Sequence, residues 1–141
     1  FGKALVVMYW LTQNTYYSGA QLTFLTDNSL KILDFSFGKG LNMQLTVDKA
    51  IVLTDLLTAY DIMAYPILLE NMNIGGSYFV VHVFCLDENK WVVLDPSCNC
   101  YFKDESNAIL NIFELRELRL KNKNPTVIGY SFNGTNACME I

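Results

Sequence analysis

Between positions 47 and 61 the apolar side chains Val47, Ala50, Ile51, Leu53, Leu56, Leu57 and Tyr60 recur at spacings of three and four. That is the period of one buried stripe, so the pattern predicts a helix from Val47 to Asp61. Thr46 is placed to cap it with its hydroxyl, and Asp48 complements the positive end of the helix dipole. Pro66 pushes the residue before it out of the helical region, so Ile62 to Pro66 leads the chain out and Ile67 to Leu69 is extended. After a polar turn, Asn71 to Ser77, the run Tyr78 to Cys85 is dense in β-branched and aromatic residues and predicts a strand. Leu86 to Lys90 reads as a turn, and Trp91 to Pro96 as the return strand, stopped by a proline with no donor for the ladder.

Phe1 to Leu11 is apolar but too short to span a bilayer, lacks the cationic start and cleavage site of a signal peptide, and predicts a packed helix. Because the chain opens inside that pattern, the expectation is of an N-terminally trimmed chain. Thr12 to Thr26 reads as a loop, and Asn28 to Phe37 as a short helix behind the capping-type Asp27-Asn28-Ser29. Gly38-Lys39-Gly40 ends it, without the spacing or the preceding strand of a phosphate loop. Past Asp95, Pro96 to Phe102 is extended, Lys103 to Asn107 is a turn, Ile109 to Leu120 is a helix, and Asn122 to Pro125 breaks it. Val127 to Phe132 is one more strand-like run before an Asn133-Gly134 turn. No repeat, low-complexity tract or linker divides the chain, so residues 1–141 read as a single α+β domain, a central helix packed on an antiparallel sheet.

Composition narrows the function classes. The 141 residues are 52% hydrophobic and 17% charged, enough for a substantial core. A net charge of −4 gives no bulk attraction to nucleic acid or an anionic membrane. The cluster Arg116, Arg119, Lys121 and Lys123 is interleaved with Glu114 and Glu117 and reads as a solvated helix face.

Two elements carry a resemblance. Trp91 to Ser97 reads Trp-Val-Val-Leu-Asp-Pro-Ser, and Ala50, Ile62 and Ala64 fall at set positions along and after the helix. In this the chain resembles the transglutaminase-like family, with a small residue four positions after a helix-starting cysteine and a Trp four residues before Asp-Pro. Trp10 to Gly19, Asn28 to Asn42 and Asn99 to Glu117 are similar to the flanks of a bacterial branch of that family. The resemblance implies a papain-type cysteine, histidine and aspartate core. It also implies where the chain departs: Thr46 stands in the cysteine position, or Met43 if Leu41-Asn42 sets the register, Tyr78 stands in the histidine position, and only Asp95 is retained. No cysteine precedes Cys85.

His82 is the one imidazole in the chain. A hairpin register pairing Tyr78 with Asp95 would pair His82 with Trp91, roughly 13 Å from the Asp95 position along the strand, so the expectation is a histidine packed beside Trp91. A threonine hydroxyl needs an adjacent base to attack anything, and tyrosine is a poor base at neutral pH. Thr46, Tyr78 and Asp95 therefore read as a hydrogen-bonded cluster, with Tyr78 donating to a buried carboxylate.

Cys98 and Cys100 would share a face of an extended strand, and two thiols alone fall short of the four ligands zinc takes, so His82 and Cys85 would have to complete a site. No metal or other cofactor is expected. Cys138 could pair with Cys98 or Cys100 in an exported protein, while four free thiols fit a reducing compartment such as the cytoplasm. Asn133-Gly134-Thr135 matches a glycosylation sequon by pattern only.

The leading expectation is a non-catalytic transglutaminase-like domain, a binding or scaffolding module for a protein or an extended peptide, with Thr46, Tyr78, Asp95, Trp91 and His82 as its binding candidates. The enzyme alternative is a hydrolase or acyl-transferase with a rearranged site, Cys98 or Cys100 as nucleophile and His82 as base, which requires one of those sulfurs within hydrogen-bond reach of the imidazole. A third reading is a structural domain of a larger assembly that docks through an exposed apolar patch.

Overall fold

The computed structural model describes residues 1–15, 28–38, 46–70 and 76–129, with the side chains of 35–38 left out. The helices are α1 (Gly2–Asn14), α2 (Ser29–Gly38), α3 (Thr46–Ala59) and α4 (Ile112–Leu120), and the strands are β1 (Ala64–Glu70), β2 (Ser77–Cys85), β3 (Lys90–Asp95), β4 (Cys100–Lys103) and β5 (Thr126–Gly129). All five strands form one antiparallel sheet in the order β1-β2-β3-β4-β5, with α4 lying between the last two in sequence. The architecture is α+β. Among the described residues no helix is long and apolar enough to cross a membrane.

The sheet has a core on each face. On one, Val81, Val83, Cys85, Val92 and Leu94 meet Ala50, Val52, Leu53 and Leu57 of α3, with Met8 and Leu11 of α1 and Ile32 of α2 behind. On the other, Val80, Val93, Cys100 and Phe102 meet Leu110, with Ile112, Leu115 and Leu118 from the α4 region packed alongside. Burial on both faces explains why β2 is a continuous apolar run rather than an alternating one.

Several boundaries differ from the sequence expectation, each for a local reason. α3 stops at Ala59, because Asp61 takes a left-handed φ of 58° and the Ile62 amide turns back to the Leu57 carbonyl at 3.0 Å. β1 begins at Ala64 and includes Pro66, tolerated because β1 is an edge strand. The segment after Asp95 is a turn over Pro96 to Asn99, not an extended run: Asn99 has a left-handed φ of 50° and the chain reverses into β4. Cys98 therefore lies in a turn and Cys100 in a strand. α4 begins at Ile112 rather than Ile109, since Asn111 and Glu114 form a reciprocal capping box and Ile109 bridges to Lys103. The expectations for Tyr16 to Thr26, Lys39 to Met43, Asn71 to Gly75, Tyr130 to Phe132, the sequon and Cys138 lie outside the described residues.

Gly129 is required by close packing. A Cβ there would strike the Asn99 carbonyl oxygen and come within 2.7 Å of Cys100 Cα, whereas a Cβ at Gly76 meets nothing within 4 Å. Gly129→Ala is expected to destabilise the fold by about 1–3 kcal/mol in urea unfolding, by overpacking of the β4–β5 pair. Gly76→Ala is expected to stay within about 0.5 kcal/mol of wild type in the same measurement.

Candidate functional site

The end of β3 delivers Asp95 into the interior, where it has no exposure to water. Four hydrogen bonds meet its two oxygens. Tyr78 Oη donates to Oδ2 at 2.9 Å and to Oδ1 at 3.0 Å, and Oδ1 also accepts the Ser97 and Cys98 amides at 2.9 and 3.1 Å. The two amide bonds shape the turn after β3. Tyr78 does not reach Asp95 as a direct cross-strand neighbour. His82 lies opposite Val93 and Phe84 opposite Trp91, two residues from the register expected of the sequence, so the phenol crosses on the diagonal.

α3 starts beside this pair. Thr46 is the first helical residue, not a cap preceding it, and its Oγ1 accepts the Phe79 amide at 3.1 Å, tying the helix start to β2 next to Tyr78. Three residues on, Lys49 is only 3% exposed, and among the described residues it forms no salt bridge within 4.0 Å. Burial pulls its ammonium below the usual lysine range, and the Asp95 charge pulls it back up. Burial pushes the Asp95 carboxyl above its ordinary value of 3.8, opposed by the Tyr78 phenol, the Cys98 and Ser97 amides and the Lys49 charge. The phenol of Tyr78 is pushed up in turn, by burial and then by the Asp95 charge. Lys49 escaped the sequence reading. Its signal was a charge on the buried spacing that leads to Leu53 and Leu57.

His82 stands apart from this group. It is 1% exposed, its ring is stacked with Trp91 at a centroid distance of 6.1 Å, and Tyr65 and Phe113 meet it edge-on. Nε2 accepts the Ile112 amide at 3.0 Å, which leaves Nδ1 to carry the proton and donate to Tyr65 Oη at 3.0 Å. Burial lowers its pKa below 6.5, so the ring is neutral at pH 7. Tyr65, on the edge strand, was not a sequence candidate. Trp91 packs with Tyr65, Phe84 and His82 and belongs to this aromatic group, not to the Asp95 cluster.

Neither candidate sulfur is set up as a nucleophile. Cys98 is disulfide-bonded, its Sγ 3.3 Å from Tyr78 Oη, and Cys100 is a free buried thiol held up by burial and by the Asp95 charge. Both nitrogens of His82 are already in hydrogen bonds to Tyr65 and Ile112. Among the described residues no group of three or more His, Cys, Asp or Glu side chains is placed to hold a metal ion. The arrangement suits holding a carboxylate in a dry interior and pinning a helix start, and the hydroxyls beside Asp95 and His82 are the phenols of Tyr78 and Tyr65.

Comparison with protein-family models, with curated proteins and with solved structures finds no match.

The Asp95 geometry carries a pH dependence. From pH 3.8 up to its raised folded value, the folded protein keeps a proton on Asp95 that the unfolded chain has released, so stability falls as pH rises through that window. Asp95→Asn has no such group. Urea unfolding at stepped pH should therefore show the variant gaining on wild type above pH 3.8, by up to about 1.4 kcal/mol per pH unit. A difference moving in favour of wild type would mean that Tyr78 and Lys49 hold the carboxylate ionised instead.

Proposed function

We propose that the chain is a transglutaminase-like domain without catalytic activity, in which the positions of the thiol and the imidazole have passed to residues that hold the fold together, and that it acts as a binding or scaffolding module for a protein or an extended peptide. The observation that carries this reading is the hydrogen bond from Tyr78 to the buried Asp95 carboxylate, beside the helix that Thr46 begins. In the triad that the resemblance implies, the aspartate orients a histidine and the helix start lowers the pKa of a cysteine. Here the aspartate orients a phenol whose ionisation is pushed out of reach, and the helix start presents a hydroxyl already engaged by the Phe79 amide. The acidic balance of the chain favours a protein or peptide partner over nucleic acid.

Wild-type protein incubated with a glutamine-containing peptide and a primary amine should yield neither transamidated nor hydrolysed peptide by mass spectrometry. The slots themselves are tested by restoring them. Thr46→Cys combined with Tyr78→His should alkylate with iodoacetamide at pH 6 at least about tenfold faster than Thr46→Cys alone, because an imidazole beside the thiol raises its thiolate fraction. Equal rates in the two variants would remove the basis for placing a catalytic cysteine and histidine at these positions.

A further inference from the structure

α4 covers the sheet's second face without a fully buried residue of its own. None of its nine residues is buried, and so short a helix does not persist in water without support. Ile112, Leu115 and Leu118 rest partly buried on the second core, and Glu114 holds Lys90 of β3 at 2.9 and 3.0 Å. The remaining tie is His82, whose Nε2 accepts the Ile112 amide, one of the donors that every helix start leaves without a partner inside the helix.

We propose that His82 is a pH-operated latch on α4: a proton taken up at Nε2 turns the acceptor of the Ile112 amide into a second donor, and the first turn of α4 lifts from the sheet. An imidazolium has no acceptor left, so the bond to Ile112 cannot survive the proton. Among the described residues no carboxylate pairs with the ring to offset a positive charge. β1 contributes the Tyr65 hydroxyl, β3 the Trp91 ring, and α4 the Ile112 amide, the Phe113 ring and the positive end of its own dipole. At this end of α4 Lys90 and Glu114 are paired with each other, Asp104 lies beside Lys90, and burial lowers the pKa of the imidazole. The closed latch thus binds the proton poorly and the open one binds it as an ordinary histidine, so acid favours opening. Opening uncovers Val80, Val93, Phe102 and Leu110, all at most 6% exposed when α4 is closed.

His82 is the single histidine of the chain, so its ring-proton NMR resonance reports the latch without assignment ambiguity. The midpoint should fall below 6.5. Exchange protection of the α4 amides, corrected for intrinsic rates, should drop about tenfold per pH unit below about pH 6.5 until that midpoint is reached. His82→Gln keeps an acceptor for Ile112 and a donor for Tyr65 but does not titrate, and its protection should be flat over the same range. Glu114→Gln, which removes the other titratable side chain at the helix start, should keep the wild-type slope. A wild-type midpoint at or above 6.5, wild-type protection that stays flat while the ring titrates, or an unchanged slope in His82→Gln would each overturn the latch. The wild-type measurement decides alone if the glutamine variant does not fold.

Discussion

A carboxylate removed from water must find its donors inside the protein, and at Asp95 that requirement organises both faces of the sheet. Two of its donors are the Ser97 and Cys98 amides, which bend the chain after β3 and so fix where β4 begins. β4 in turn receives β5 so closely that only a glycine fits at position 129. The third donor, Tyr78, aligns β2, and the next amide in that strand reaches Thr46 at the start of α3. One buried charge thus connects the helix of the first core with the turn and strands of the second. Lys49, buried on α3, is the cation whose field reaches it.

That arrangement explains why the cluster reads as structure more than as chemistry. A catalytic carboxylate of this kind hands its orientation to a proton carrier, and a phenol with a raised pKa keeps its proton near neutrality and cannot serve as a base. The imidazole sits further along the same strand and has been given a different task, between the hydroxyl of an edge strand and the first amide of α4. The geometry therefore separates two polar groups that share one face of β2: one at Tyr78 and Asp95, and one at His82.

Much of this was legible in the residues. The stripe through Ala50, Leu53 and Leu57 reads as a buried helix and the aromatic and β-branched run from Tyr78 to Cys85 as a strand, and both are so in the fold. The contact between Tyr78 and Asp95 was also anticipated, though through a register two residues out: the turn over Leu86 to Asn89 pairs Cys85 with Lys90, which sets His82 opposite Val93 and leaves Tyr78 on the diagonal to Asp95. Pro96 to Asn99 was misread as extended because the donors that bend it come from the Asp95 carboxylate, a tertiary feature absent from local propensity. Lys49 and Tyr65 were missed for a related reason. The charge of Lys49 argues for water although its spacing is that of the buried stripe, and Tyr65, 42% exposed on an edge strand, carries no local mark of its hydrogen bond to His82.

The claim at the centre is that Tyr78 and Asp95 act as one buried unit. A double-mutant cycle with Tyr78→Phe, Asp95→Asn and the combination, measured by urea unfolding at pH 7, tests it most directly. A coupling of about 1–3 kcal/mol is expected, as for neighbours that share a hydrogen bond to a charged or strongly polar group. Additivity within about 0.3 kcal/mol would contradict it, and would mean that Asp95 is held by the backbone of its own turn alone.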